Sequence, residues 1–231
     1  MLDFNRVLIA RSECITFQIV KLSSESKGWI GGNIPEYFLN QEDFIIKYRN
    51  DYYFYLSFVN PFDNEKMFSI FIPKDKKKLF NEKIYPNCSV LLFEHISSKE
   101  SNNTDFTNSD IAKHSISDGD ISSNIEVYNN DEGDITSVSN SQTVSIHENE
   151  REPFLIKFGG TPELIQEESY YYDKLDEDGL GFLFQIDENG YPTNEDFLKG
   201  SYPFCFGSLY VYANINSSSI KNPSIGFWQF S

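Results

Sequence analysis

A short phrase is written twice in this chain: Gly31-Gly32-Asn33-Ile34-Pro35-Glu36 near the start, and Gly159-Gly160-Thr161-Pro162-Glu163 in the second half. Each copy follows an aromatic or aliphatic neighbour, Trp29-Ile30 in one case and Ile156-Lys157-Phe158 in the other. Farther on, each is followed by an alternating apolar run, Phe54-Tyr55-Leu56-Ser57-Phe58 and Phe182-Leu183-Phe184-Gln185-Ile186, and then by a second strand-like run, 67–72 and 209–213. Three features in the same order and spacing predict that Gly31–Ile72 and Gly159–Ala213 are related units of one fold.

The alternation around those phrases has the period of strands rather than helices. Strands are predicted at Arg6–Arg11, Cys14–Val20, Tyr52–Val59, Met67–Ile72 and Ser89–His95, bounded by turn residues such as Asn60-Pro61 and Pro86-Asn87. Short helices are predicted at Pro35–Leu39 and Lys74–Glu82. The expected class is therefore α+β, mainly β: two related antiparallel-strand units, an internal duplication, with a few short helices.

Residues 99–152 break the pattern. Ser, Asn, Asp, Thr and Gly dominate, and 12 acidic against three basic residues give this stretch a net charge of −9 out of −16 for the chain. Such a composition buries too little apolar surface to offset the entropy of ordering, so 99–152 reads as an acidic low-complexity insertion between a first half, 1–98, and a second half, 153–231. Weak alternation at 124–128 and 143–147 leaves room for a hairpin there.

An overall charge of −16 argues against nucleic acid, which needs Lys and Arg to displace counterions, and suits a basic partner. No apolar run is long enough to span a bilayer, and the charged amino terminus does not read as a secretory signal. Three widely spaced cysteines, Cys14, Cys88 and Cys205, fit buried thiols of a reducing cytosol rather than a disulfide framework or a zinc site.

The chain has no HExxH, GxSxG or GxxxxGK[ST] pattern, and Gly179-Leu180-Gly181 precedes a strand, contrary to a dinucleotide fingerprint. Read as a calcium loop, Asp176-Glu177-Asp178-Gly179 would put Lys174 and Gln185 at the first and last ligand positions. No catalytic residue, metal or cofactor is therefore assigned. The double glycines allow positive φ ahead of a proline that starts a helical turn, a structural role with an anion site as the alternative. Gln185 falls between apolar neighbours on a strand, where it can close a hydrogen-bond network. The candidate partner-binding surface is Tyr170, Tyr171 and Tyr172 with Asp173, Asp176, Glu177 and Asp178, rings for contact beside acids for steering; the alternative is a loop packed on the core.

The second unit resembles a known family. Phe158-Gly159-Gly160-Thr161-Pro162-Glu163-Leu164-Ile165-Gln166, then Leu183-Phe184-Gln185-Ile186-Asp187, then Gly207-Ser208-Leu209-Tyr210-Val211-Tyr212 and a late Trp228-Gln229 are similar to the motifs of the YwqG-like bacterial proteins. The likeness is best over 153–231, and it lacks the aromatic often found after the proline. It implies structural roles for Gly31, Gly32, Pro35, Gly159, Gly160, Pro162, Gln185, Gly207 and Trp228. It also implies a bacterial, cytoplasmic protein of the kind encoded near secreted toxins, hence a non-catalytic interaction module, an immunity protein bound to a basic toxin domain. A ligand-binding protein or enzyme using the cleft between the two halves is the alternative.

Overall fold

The computed structural model describes residues 2–23, 26–123, 126–129, 135–139, 142–145, 153–193 and 196–231. In the first half the strands are β1 (Glu13–Phe17), β2 (Ile19–Val20), β3 (Gly28–Ile30), β4 (Tyr52–Asn60), β5 (Asp63–Pro73) and β6 (Leu91–Ile96). Next come β7 (His114–Ile116), β8 (Asp120–Ser123), β9 (Glu126–Asn129), β10 (Ile135–Ser139) and β11 (Gln142–Ser145). The last four are β12 (Ile156–Gly159), β13 (Gly181–Asp187), β14 (Ser208–Asn216) and β15 (Ser219–Gln229). They form one sheet ordered β2-β7-β3-β4-β5-β6, another ordered β8-β1-β12-β13-β14-β15, and a three-stranded sheet of β9, β10 and β11.

The two larger sheets repeat one plan. In each, four consecutive strands run as an antiparallel meander, β3 to β6 in the first and β12 to β15 in the second. Gly28, Trp29 and Ile30 pair with Phe58, Ser57 and Leu56, just as Ile156, Lys157 and Phe158 pair with Ile186, Gln185 and Phe184. The ladder slips at the same place in both, between Phe54 and Leu56 and between Phe182 and Phe184. Gly31, Gly32, Gly159 and Gly160 all have positive φ, 67°, 74°, 73° and 66°, a region that costs a residue with a Cβ. At Gly159 space forbids one as well, since a Cβ there would come within 2.2 Å of Val7 Cγ1.

A two-stranded ribbon joins the sheets. β1 pairs with β8 in one sheet, and after Gln18 the same two chain segments continue as β2 and β7 in the other. Each meander is thus flanked by a strand whose continuation belongs to the opposite sheet. The facing surfaces interdigitate as the main core, with Phe58 on one sheet 5.2 Å from Phe184 on the other and Phe68 5.3 Å from it. Burying each such ring contributes about 1.5 to 3 kcal/mol. The expected cleft between the two halves is therefore core, and the small-ligand alternative loses the place assigned to it.

Each outer face carries a cap made by the segment after its double glycine. A 3-10 turn at Glu36–Asn40 and helix α1 (Glu42–Tyr48) lay Phe38 and Phe44 on Phe54, Phe71 and Phe93 of the first sheet. On the second sheet, Tyr171 and Leu175 cover Phe182, Tyr210, Tyr212 and Phe227.

Two expectations need correction. Residues 6–11 form a π-helical turn at Asn5–Ile9 rather than a strand: the Asp3 carboxylate accepts from the amides of Asn5 and Arg6, and Val7 and Leu8 are buried in the main core. Nor does the insertion begin at 99. Phe106 is fully buried beneath the first cap, Ile111 lies in the main core, and β7 and β8 are sheet members, so isolated apolar residues in a polar stretch found partners supplied by the sheets. Of the alternating runs at 124–128 and 143–147, residues 126–128 and 143–145 lie in the small sheet, and 124, 125, 146 and 147 lie outside the described residues.

Candidate interaction surface

The second cap ends in a 3-10 turn at Ser169–Tyr171 and helix α3 (Asp173–Glu177). Residues four apart share a helix face, so Tyr171 and Leu175 both turn inward, at 1% and 0% exposure. Asp173, Asp176, Glu177 and Asp178 are exposed on the other side. Tyr170 is 54% exposed and stacks on Tyr171 at 4.3 Å, and Tyr172 is half-buried. The tyrosine run therefore divides: Tyr170 is a surface ring, whereas Tyr171 is a core residue and not the expected anchor. Its hydroxyl donates to Gln166 Oε1 and accepts from Lys83 Nζ.

The acids are held by local bonds. Asp178 accepts from Lys174 Nζ at 2.8 Å and from the Tyr85 hydroxyl at 2.9 Å, and these two donors, the lysine first, hold its carboxyl below the usual range. Asp173 accepts from the Ser169 hydroxyl.

Sequence reasoning missed the neighbours that the fold brings here. The chain at 83–85 adds to the β15 edge: Tyr85 N donates to Gly226 O and Trp228 N donates to Lys83 O. That pairing sets Phe80, on helix α2 (Lys76–Asn81), 5.2 Å from Trp228, with Phe230 6.1 Å beyond. Lys83 lies across the same rings, 5.0 Å from Phe230, 5.5 Å from Tyr171 and 5.9 Å from Trp228. Phe80 and Phe230 are 42% and 37% exposed. Lys83 thus links the ring group of Phe80, Trp228 and Phe230 to the stacked pair Tyr171 and Tyr170, which precedes the acidic helix. Beside Lys83 is a hollow of about 360 Å³ lined by Phe80, Lys83, Ile84 and Tyr85. No periodicity marked Phe80, which follows buried Leu79 on a six-residue helix, or Phe230, next to the last residue.

The chain was compared with family models, curated proteins and solved structures. Nothing matches.

The residues assigned structural roles lie apart from this surface or beneath it. Gln185, fully buried, accepts from Glu163 N at 2.7 Å; Gln229 Oε1 accepts from Ile165 N and Gln166 N, and the Tyr210 hydroxyl donates to Glu163 O. Buried Lys157 reaches the Glu163 carboxylate at 2.8 Å. This row of side chains pins the loop after Pro162 to the sheet by its backbone. Trp228 donates its indole N–H to Leu79 O, and a Cβ on Gly207 would fall 1.9 Å from Gln229 O. At Gly31-Gly32 the anion alternative has a tenant: the Glu100 carboxylate accepts from Asn33 N at 2.8 Å, so the chain itself supplies the negative group.

The matching row of the first sheet is Ser57, Ser69 and His95. The hydroxyls lie 2.5 Å apart, and Ser69 Oγ is 2.7 Å from His95 Nε2. Both serines are at 0% exposure and Tyr37 stacks on the imidazole at 4.5 Å, so this hydroxyl–imidazole pair is sealed from solvent. Among the described residues no group of three His, Cys, Asp or Glu converges as a metal site, and no helix is long and apolar enough to cross a membrane.

Proposed function

We propose that the chain is a YwqG-like, cytoplasmic interaction protein that occludes a basic surface of a partner, as an immunity protein occludes a toxin domain. The observation that carries this reading is that exposed rings and exposed acids share the second cap and the sheet edge that Lys83 links to it. Tyr170, Phe230 and Phe80 offer apolar contact area, and Asp173, Asp176 and Glu177 follow Tyr170 on the cap helix. Acids at a rim accelerate encounter with a cationic partner, while rings at a centre slow its departure.

The test is binding kinetics with the product of the neighbouring gene. Association should slow as salt rises, with dissociation changing less. Replacing Asp173, Asp176 and Glu177 by Asn, Asn and Gln should lower the on-rate; Asp178 is kept because it holds Tyr85. Phe230→Ala or Tyr170→Ala should raise the off-rate by the equivalent of about 1 to 2 kcal/mol. Tight binding indifferent to all these changes would place the interface elsewhere.

A further inference from the structure

The geometry points to a second site: a groove on the outer face of the β3–β6 sheet that takes a small organic anion with a flat apolar body. The first cap leaves one end of this face uncovered, and a hollow of about 510 Å³ remains there. Its floor is apolar, made by Trp29, Val59 and Met67. Trp29 is held in place by its indole N–H, which donates to Asn33 O at 2.9 Å. Over this floor stand Lys27, Lys99 and Lys113. Three cations against one lining carboxylate, Glu100, reverse the balance of a chain with 19 basic and 35 acidic residues.

The present partners of these lysines do not neutralise them equally. Lys113 is engaged by Glu100, whose other oxygen is tied to Asn33 N. Lys27 reaches Asp118 only at 4.0 Å and Lys99 reaches Glu36 at 3.4 Å, with Lys27 and Lys99 53% and 79% exposed. Exposed pairs of that kind are weak and yield readily to a better-placed anion. Ser97 and Ser98 add hydroxyl groups at the rim. The pseudo-equivalent end of the other sheet is built differently. There Lys157 takes the place of Trp29, and the cap loop drops Glu163 onto it. The first unit has an apolar ring at that position and its cations on the rim, so a ligand must bring both an anion and an apolar face.

Titration calorimetry on the full chain at low salt tests this with phenyl phosphate, inorganic phosphate and benzyl alcohol as probes. Phenyl phosphate should saturate a single site at least about tenfold more tightly than either probe that carries one half of its chemistry. The double variant Lys27→Gln, Lys99→Gln should weaken it by about tenfold or more with an unchanged circular dichroism spectrum. Absence of saturation overturns the proposal. So does equal binding of inorganic phosphate, which would mean a charge-only contact, or an affinity unaffected by the double variant, which would mean binding elsewhere.

Discussion

Glu188 shows how much a single side chain organises. It is 1% exposed, and its two oxygens accept from Phe204 N at 2.8 Å and Gly207 N at 3.1 Å, drawing the 204–207 turn inward through left-handed Cys205 and Phe206. Burial pushes its carboxyl up to about 8, against the pull of those amides. Glu188→Ala strands two backbone donors in the core, so urea unfolding should show a loss of about 2 to 6 kcal/mol. His95 adds a pH dependence of its own. Its Nδ1–H donates to Ile96 O, its Nε2 accepts from Ser69, and burial lowers its pKa below 6.5. A base whose folded pKa is depressed is protonated first in the unfolded chain. Its contribution is complete above pH 6.5 and is lost as pH falls through that value toward the folded pKa. The stability advantage of the parent over His95→Gln should therefore shrink between about pH 7.5 and about pH 5. A constant difference would show that the ring is not held neutral.

At the scale of elements, the capping segments were the hardest to read. β4 matches the strand predicted at Tyr52–Val59 and β5 contains the one predicted at Met67–Ile72, because a short aromatic and β-branched run bounded by turn residues marks a strand even when both its faces are buried. The predicted helix at Lys74–Glu82 is α2, started by Asp75, whose carboxylate accepts from Lys77 N. Cys14–Val20 is extended as expected but divided between two sheets, which no local signal announces. In the second cap, three consecutive tyrosines are chemically identical, and only the positions of Phe227 and Tyr210 decide that Tyr171 enters the core. Tyr171→Ala should accordingly cost about 3 to 5 kcal/mol of stability, whereas Tyr170→Ala should leave the unfolding midpoint nearly unchanged. The reverse order would return Tyr171 to the role of a surface anchor.

For the whole molecule, the connections suggest a rearranged tandem repeat. In the first unit, 17 residues, 97–113, lead from β6 to its flanking strand β7. In the second, the flanking strand β1 precedes the meander in sequence instead of following β15. A circular permutant running 153–231, a Gly/Ser linker of about four residues, then 1–123 should fold with a single cooperative transition, because every pairing of the two large sheets is retained. Removing 100–149 from the natural chain should instead abolish that transition, since β7, β8 and Phe106 go with it. Sequence alone determined the mainly β class, the doubled unit and the need for glycine at the two repeats, because strand alternation and positive φ are properties of a few adjacent residues. Only the tertiary structure decided that residues 100–123 belong to the core, that the space between the halves is filled, and that Lys83 links the ring group of Phe80 and Phe230 to the second cap. Those outcomes depend on which face of each sheet another part of the chain covers, and that choice rests on contacts between residues far apart in sequence.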